Sequence, residues 1–162
     1  MPQSGEVNAP LFSSTPEYNK AKSTAWKVMV VDDDESVHAT SNMVFRHFTF
    51  IGKGLKMIRG YSAKEACQLL EQNPDTATLL LDIVLESDDA GLKVIKYVRE
   101  HMNNHCTQII LRTGQAGQFS EEEVRNHEVN AYSTKSELTA DRLNALLITS
   151  LRAFRDIRTY HS

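Results

Sequence analysis

The chain has 162 residues, 41% hydrophobic and 24% charged, which is the length and composition of one globular domain. Its formal net charge of −3, with both signs interspersed, predicts no extended basic surface, so we expect no direct contact with nucleic acid. No apolar run approaches the roughly 20 residues of a membrane span, and the N-terminus lacks a signal-peptide pattern. We therefore expect a cytoplasmic protein without membrane contact.

The composition changes along the chain and suggests three segments. Residues 1–24 are rich in Ser, Pro, Asn and Lys, which predicts a flexible N-terminal leader. In residues 25–158, short β-branched runs alternate with segments of helical period, as in a parallel sheet covered by helices on both faces. Residues 159–162 are expected to be the C-terminal end of a long last helix.

The first half of the domain predicts two strand–helix units. Residues 27–31 form a strand, and a helix follows from about Glu35 to Phe48 with Val37, Val44 and Phe48 on one stripe. After a second strand at residues 55–60, a second helix opens with a capping box and stops near Asn73. The box pairs Ser62 with Glu65, and the buried stripe comprises Ala63, Ala66, Cys67 and Leu70.

The second half predicts three further strands. Residues 78–82 are apolar on both faces, as a central parallel strand must be, and residues 108–112 form the fourth strand. The fifth is a short strand around Ala131 and Tyr132. Three helices alternate with these strands: Gly91–Met102, with Leu92, Ile95, Val98 and Met102 inward; a short one capped by Ser120 and Glu123; and a last one from about Thr139, with Leu143, Leu146, Leu147, Ser150, Phe154 and Ile157 on one side.

Polar side chains follow four of the predicted strands. Asp32, Asp33 and Asp34 come after the first strand, Asp82 ends the third, Thr113 follows the fourth and Lys135 follows the fifth. Because ligands of open parallel sheets bind at the carboxyl ends of the strands, we expect these side chains to share one pocket. An acidic triplet after a strand can also serve as a turn or helix cap, and the four-part spacing favours the pocket.

This set of residue types suits phosphoryl transfer. Clustered carboxylates repel one another, and a hard divalent cation with oxygen ligands, Mg²⁺ or Mn²⁺, turns that repulsion into a binding site. An ionised aspartate needs no general base to attack phosphorus, so Asp82 is the candidate nucleophile. Lys135 would neutralise the phosphoryl oxygens, and Thr113 would hydrogen-bond the product.

The same motifs resemble those of response-regulator receiver domains over about residues 26–158. VVDDD resembles the family's acidic pair, LLLD its phosphoacceptor, LRTG its switch hydroxyl and YSTK its switch aromatic and lysine. The resemblance implies a flavodoxin-like (βα)5 fold, a doubly wound parallel sheet with strand order 2-1-3-4-5. It implies metal ligation by Asp33, Asp82 and the carbonyl of Val84, with Asp32 holding a metal-bound water, and a switch through Thr113 and Tyr132.

The resemblance also implies partners. A histidine kinase or phosphotransfer protein would phosphorylate Asp82, and the change would pass to a tethered output domain. The segments DDAGLKVIKYVRE and IILRTGQAGQ are similar to those of a subgroup of receivers that is often followed by an HD-type metal phosphohydrolase. We therefore expect this chain to be the receiver of a longer regulator. The receiver itself would be a switch rather than an enzyme. Phe154 and Ile157, at the far end of the last helix, would be left for a homodimer or domain contact.

Two departures from the family pattern leave alternatives open. Ser136 replaces the usual proline after Lys135, and the loop IVLESDDAG lacks the common proline and carries Glu86, Asp88 and Asp89, which could modulate metal affinity. A degenerate receiver acting as a phosphorylation-independent interaction module is one alternative. The other is a small Mg²⁺-dependent phosphatase, but its second acid/base aspartate would stand where this chain has Val84.

Overall fold

The computed structural model describes residues 25–114 and 120–161. The predicted leader, residues 1–24, and the last residue of the chain lie outside the described residues. The strands are β1 (Trp26–Val31), β2 (Leu55–Gly60), β3 (Thr78–Asp82), β4 (Gln108–Thr113) and β5 (Ala131–Thr134). The helices are α1 (Glu35–Phe45), α2 (Ala63–Gln72), α3 (Ala90–Lys96, continued by a π-helical turn at Tyr97–His101), α4 (Glu121–Asn126) and α5 (Ala140–His161).

The five strands form one parallel sheet in the order β2-β1-β3-β4-β5, which confirms the predicted α/β fold and strand order. β3 lies at its centre with β1 beside it; Asp32 follows β1, and Asp82 is the last residue of β3. The order reverses beside β1, because the chain moves outward to β2 and then returns to β3. At such a point the connections leave on opposite faces and open a crevice at the carboxyl edge.

Alternating residues of the central strands pack on opposite faces of the sheet. Met29, Leu79 and Leu81 belong to one buried cluster, which includes residues of α2 and α3. Val28, Val30 and Leu80 belong to the other, which includes residues of α1 and α5. The apolar runs are therefore buried on both sides, as expected for parallel strands covered by helices.

The structure corrects the prediction for the first helix. α1 ends at Phe45 rather than Phe48, because the chain turns there, with the N–H of Phe48 bonded to the carbonyl of Phe45 at 3.1 Å. Phe48 is still buried, but Val37 and Val44 lie half-buried at the edge of the core. The residues of α1 that face inward are His38, Ser41 and Phe45. Apolar spacing missed this face because two of its three residues are polar.

The prediction for the last helix was also wrong in one respect. Phe154 is 4% exposed and belongs to the same buried cluster as Val28, Val30 and Leu80, so it is not left for a partner, and Ile157 is half-buried. Ser150 lies on the inward face because its hydroxyl bonds to that of Thr78 on β3 at 2.8 Å. No helix in the described ranges is long and apolar enough to cross a membrane.

A buried arginine joins two loops at the amino edge of the sheet. Arg99, in the π-helical turn after α3, donates to the carbonyls of Asn104, Thr107 and Glu128, each at 2.8 Å. It is 7% exposed, so these bonds replace water that the guanidinium has lost. The inward turn of Arg99 explains why the regular helix predicted for Gly91–Met102 ends earlier, at Lys96.

Gly91 lets α3 approach the end of β3 closely. A Cβ atom at this position would lie 2.6 Å from Cα of Ile83 and 2.9 Å from the carbonyl oxygen of Asp82, and both are backbone atoms. The N–H of Gly91 bonds to the carbonyl of Ile83 at 3.1 Å, so the contact fixes the chain directly after Asp82.

Gly91→Ala is therefore expected to lower the free energy of unfolding by about 1–3 kcal/mol, the usual cost of overpacking. Urea denaturation followed by circular dichroism measures it. The matched control is Gly54→Ala, where a Cβ would approach no atom closer than 3.9 Å. Equal stability of the two variants would contradict the close packing at Gly91.

Candidate functional site

The four predicted strand ends do converge. Asp32 directly follows β1, Asp82 is the last residue of β3, Thr113 is the last residue of β4, and Lys135 directly follows β5. The strands are parallel and adjacent, so their carboxyl ends meet at the same edge of the sheet. The fold therefore brings together residues separated by more than a hundred positions in the chain.

Three carboxylates lie at this edge. One oxygen each from Asp32, Asp33 and Asp82 lies within 4.8 Å of the others, with Asp32 and Asp82 buried and Asp33 exposed. The third member of the acidic triplet behaves differently, because the Asp34 carboxylate accepts from the N–H of Ser36 and caps α1. Asp34 therefore serves as a helix cap, whereas Asp32 and Asp33 lie beside Asp82. A set of oxygen donors open on one side fits a hard divalent cation.

Lys135 partly neutralises the cluster. Its Nζ lies 2.9 Å from Oδ2 of Asp82 and 4.0 Å from Oδ2 of Asp32. Burial lowers the pKa of Lys135, but its hydrogen bond to Asp82 and the charges of both aspartates outweigh burial and raise the pKa above the ordinary value. The ammonium is thus firmly charged, and it already contacts the predicted nucleophile.

Arg112 is a second cation at the site, and the sequence reasoning gave it no role. Its Nη1 donates to Oδ2 of Asp32 at 3.1 Å, and the residue is only 8% exposed. The available signal was a charged residue within the otherwise apolar strand IILRT, next to Thr113. A charge in a strand buried on both faces requires a partner, and the aspartates supply it.

Both the side chain and the backbone of Asp32 are held by hydrogen bonds. Its Oδ1 accepts from the N–H of Asp34 at 2.9 Å, and its carbonyl accepts from Nε2 of the buried His38 at 2.8 Å. The carbonyl has no proton, so Nε2 must carry one. Burial, reinforced by the charge of Asp82, raises the pKa of Asp32 despite the Asp34 hydrogen bond and the cations Lys135 and Arg112.

The remaining predicted residues surround the cluster. Thr113 is buried, and its carbonyl accepts from the N–H of Lys135 at 2.8 Å. The N–H of Val84 donates to Oδ1 of Asp82 at 3.2 Å. Tyr132 is 46% exposed and projects beside Val124 and Val129 rather than into the core. The switch roles of Thr113 and Tyr132 and ligation by the Val84 carbonyl stay predictions.

The acidic loop after Asp82 is tied to the neighbouring helix. Both carboxylate oxygens of Glu86 accept from the N–H of Ala63, at 3.0 and 3.2 Å, at the start of α2. The Ser62 hydroxyl accepts from the N–H of Glu65, which is one of the two bonds of the predicted capping box. Glu86 thus braces the loop against α2, which is a structural role. Among the described residues no peptide bond is cis, so the one between Lys135 and Ser136 is trans.

The raised pKa of Asp32 makes a prediction about stability and pH. A carboxyl whose pKa is higher in the fold than in the unfolded chain stabilises the fold most when protonated, and this contribution is lost as pH rises through the folded pKa. The free energy of unfolding of wild type, relative to that of Asp32→Asn, should therefore increase as the pH falls from about 7 to about 4 in metal-free buffer.

Urea denaturation at each pH measures this difference. The control is Asp89→Asn, because a hydrogen bond from Ser87 and the charge of Lys93 lower the pKa of Asp89 and reverse the expected trend. If the stability difference between wild type and Asp32→Asn stays constant, or decreases as the pH falls, the electrostatic description of the site is wrong.

Comparisons with known proteins agree with this geometry. No family model matches the chain. Over 133 residues it is 39% identical to the 3'3'-cGAMP-specific phosphodiesterase 2 of Vibrio cholerae; the match covers 82% of this chain but 26% of that protein. The chain therefore spans about a quarter of the length of this relative.

Solved structures share the fold. One is a response regulator receiver domain protein of Methanospirillum hungatei, with a TM-score of 0.63, 20% identity, and 82% of this chain and 98% of that chain covered. Another is the signal receiver domain of an HD domain-containing protein of Pseudomonas fluorescens, with a TM-score of 0.68, 18% identity, and 83% and 93% covered. The chain therefore has the fold of response-regulator receiver domains, the family that its motifs resemble.

Proposed function

We propose that this receiver domain accepts a phosphoryl group on Asp82 and passes the change to a tethered output domain. The observation that supports the proposal most is the position of the Asp82 carboxylate. It lies at the carboxyl edge of the sheet, next to two other carboxylates and 2.9 Å from the ammonium of Lys135. In the transfer, an oxygen of Asp82 bonds to phosphorus as the bond from phosphorus to the nitrogen of a phosphohistidine donor breaks.

Each residue then has a distinct task. Lys135 contacts Asp82 and would shift its hydrogen bond to the phosphoryl oxygens, because the carboxylate loses its negative charge when it bonds to phosphorus. Thr113 ends the neighbouring strand, where its hydroxyl could hydrogen-bond the phosphorylated aspartate. The N–H of Val84, which donates to Asp82, orients the carboxylate for attack.

The acidic cluster fits a divalent cation held by Asp33, Asp82 and the carbonyl of Val84, with Asp32 binding through water. Mg²⁺ or Mn²⁺ at this place would supply positive charge to neutralise the phosphoryl oxygens. Asp32 is fully buried and bonded to Arg112 and Asp34, which suits an indirect role, whereas Asp33 is exposed and accessible to an incoming ion.

Two similar proteins suggest the kind of output domain that this receiver controls. The Vibrio cholerae relative is named as a phosphodiesterase, and the chain matches 26% of its length. A receiver of similar fold comes from an HD domain-containing protein. We infer that this receiver, phosphorylated by a histidine kinase or phosphotransfer protein in the cytoplasm, regulates an HD-type phosphohydrolase on the same polypeptide.

Intact-mass spectrometry after incubation with acetyl phosphate tests the acceptor. Wild type should gain the mass of one phosphoryl group when Mg²⁺ is present and not when it is chelated, and Asp82→Asn should gain none. The matched control is Asp75→Asn, which removes a carboxylate from the opposite edge of the sheet, where Asp75 pairs with Lys27 at 2.9 Å. This variant should react like wild type.

Two outcomes would contradict the proposal. An adduct on Asp82→Asn would mean that another residue is the acceptor. No adduct on wild type, despite measurable Mg²⁺ binding, would favour a degenerate receiver that acts as a phosphorylation-independent interaction module.

A further inference from the structure

Arg112 occupies an unusual place in the site. It projects from β4, a strand whose residues are all buried, and reaches Asp32 from within the fold rather than from solvent. Asp32 is 0% exposed, and its two oxygens are taken by Arg112 and by the N–H of Asp34. The inner side of the acidic cluster is thus already bound to a cation that belongs to the protein.

The charges of the cluster show what this cation does. With three ionised carboxylates, the ammonium of Lys135 and the guanidinium of Arg112, the cluster carries one net negative charge. Without Arg112 it would carry two. Arginine stays protonated in proteins, so this positive charge is permanent. A divalent cation entering the cluster is attracted by the carboxylates and repelled by Arg112 at short range, where solvent screens little.

We propose that Arg112 sets the affinity of the acidic cluster for a divalent cation, holding it below the affinity that the three carboxylates would have without this arginine. This inference rests on the metal site of the proposed function and adds a residue to which no role has been assigned. The same positive charge would attract the negatively charged phosphoryl group.

Replacement of Arg112 removes part of a buried ion pair but introduces no steric clash. Arg112 and Lys135 line a cavity of about 220 Å³ between α1 and α5, so a smaller side chain adds space rather than a clash. Arg112→Gln keeps a hydrogen-bond donor for Asp32 but removes the positive charge. Arg112→Met keeps much of the side-chain length but removes both the donor and the charge. Arg112→Lys keeps the positive charge. Circular dichroism of each variant verifies folding before binding is measured.

Mn²⁺ binding to the unphosphorylated chain, measured by electron paramagnetic resonance of the free ion, tests the inference. Arg112→Gln and Arg112→Met should bind Mn²⁺ roughly tenfold more tightly than wild type, whereas Arg112→Lys should bind with nearly wild-type affinity. The matched control is Arg152→Gln, which makes the same change in net charge at an exposed position on α5. It should bind like wild type.

The outcomes separate this inference from the proposed function. If wild type binds no Mn²⁺, the metal site itself is absent and both fail. If wild type binds and Arg112→Gln binds equally, the charge of Arg112 does not set the affinity. Weaker binding by Arg112→Gln would show that Arg112 serves to orient Asp32, and it would overturn the inference as well.

Discussion

The structure depends on one electrostatic constraint. Parallel strands end at the same edge, so the aspartates that follow β1 and end β3 are brought within a few ångströms of one another, although their charges repel. The fold offsets this repulsion with two cations from the neighbouring strands, Lys135 after β5 and Arg112 within β4. The remaining negative charge is the basis of the proposed divalent-cation site.

Other features serve to keep this edge in place. Gly91 lets α3 pack directly against the backbone that follows Asp82, and Glu86 ties the same loop to the start of α2. His38 holds the carbonyl of Asp32 from the interior. On the opposite edge, Arg99 joins the loops that precede β4 and β5, so the two strands that carry the cations are anchored at both ends.

Much of this could be predicted from sequence, because the signals were local or repeated. Apolar runs such as residues 78–82 and 108–112 predict buried parallel strands, and polar residues at their ends predict a shared pocket. Asp32, Asp82 and Lys135 lie together at one edge of the sheet, as expected. The sequence did not predict the partner of Arg112, the inward turn of Arg99 or the burial of His38 and Phe154. Each of these depends on contacts with distant segments, and polar residues in a core have no periodic signature.

Thermal unfolding with added Mg²⁺ tests the central claim, that the converging carboxylates form a divalent-cation site, most directly. An ion that binds only the folded chain raises the melting temperature in a saturable way. We expect this rise for wild type at constant ionic strength and its loss in Asp33→Asn/Asp82→Asn, which removes two of the three carboxylates. No rise for wild type, or an equal rise for the variant, would contradict the account.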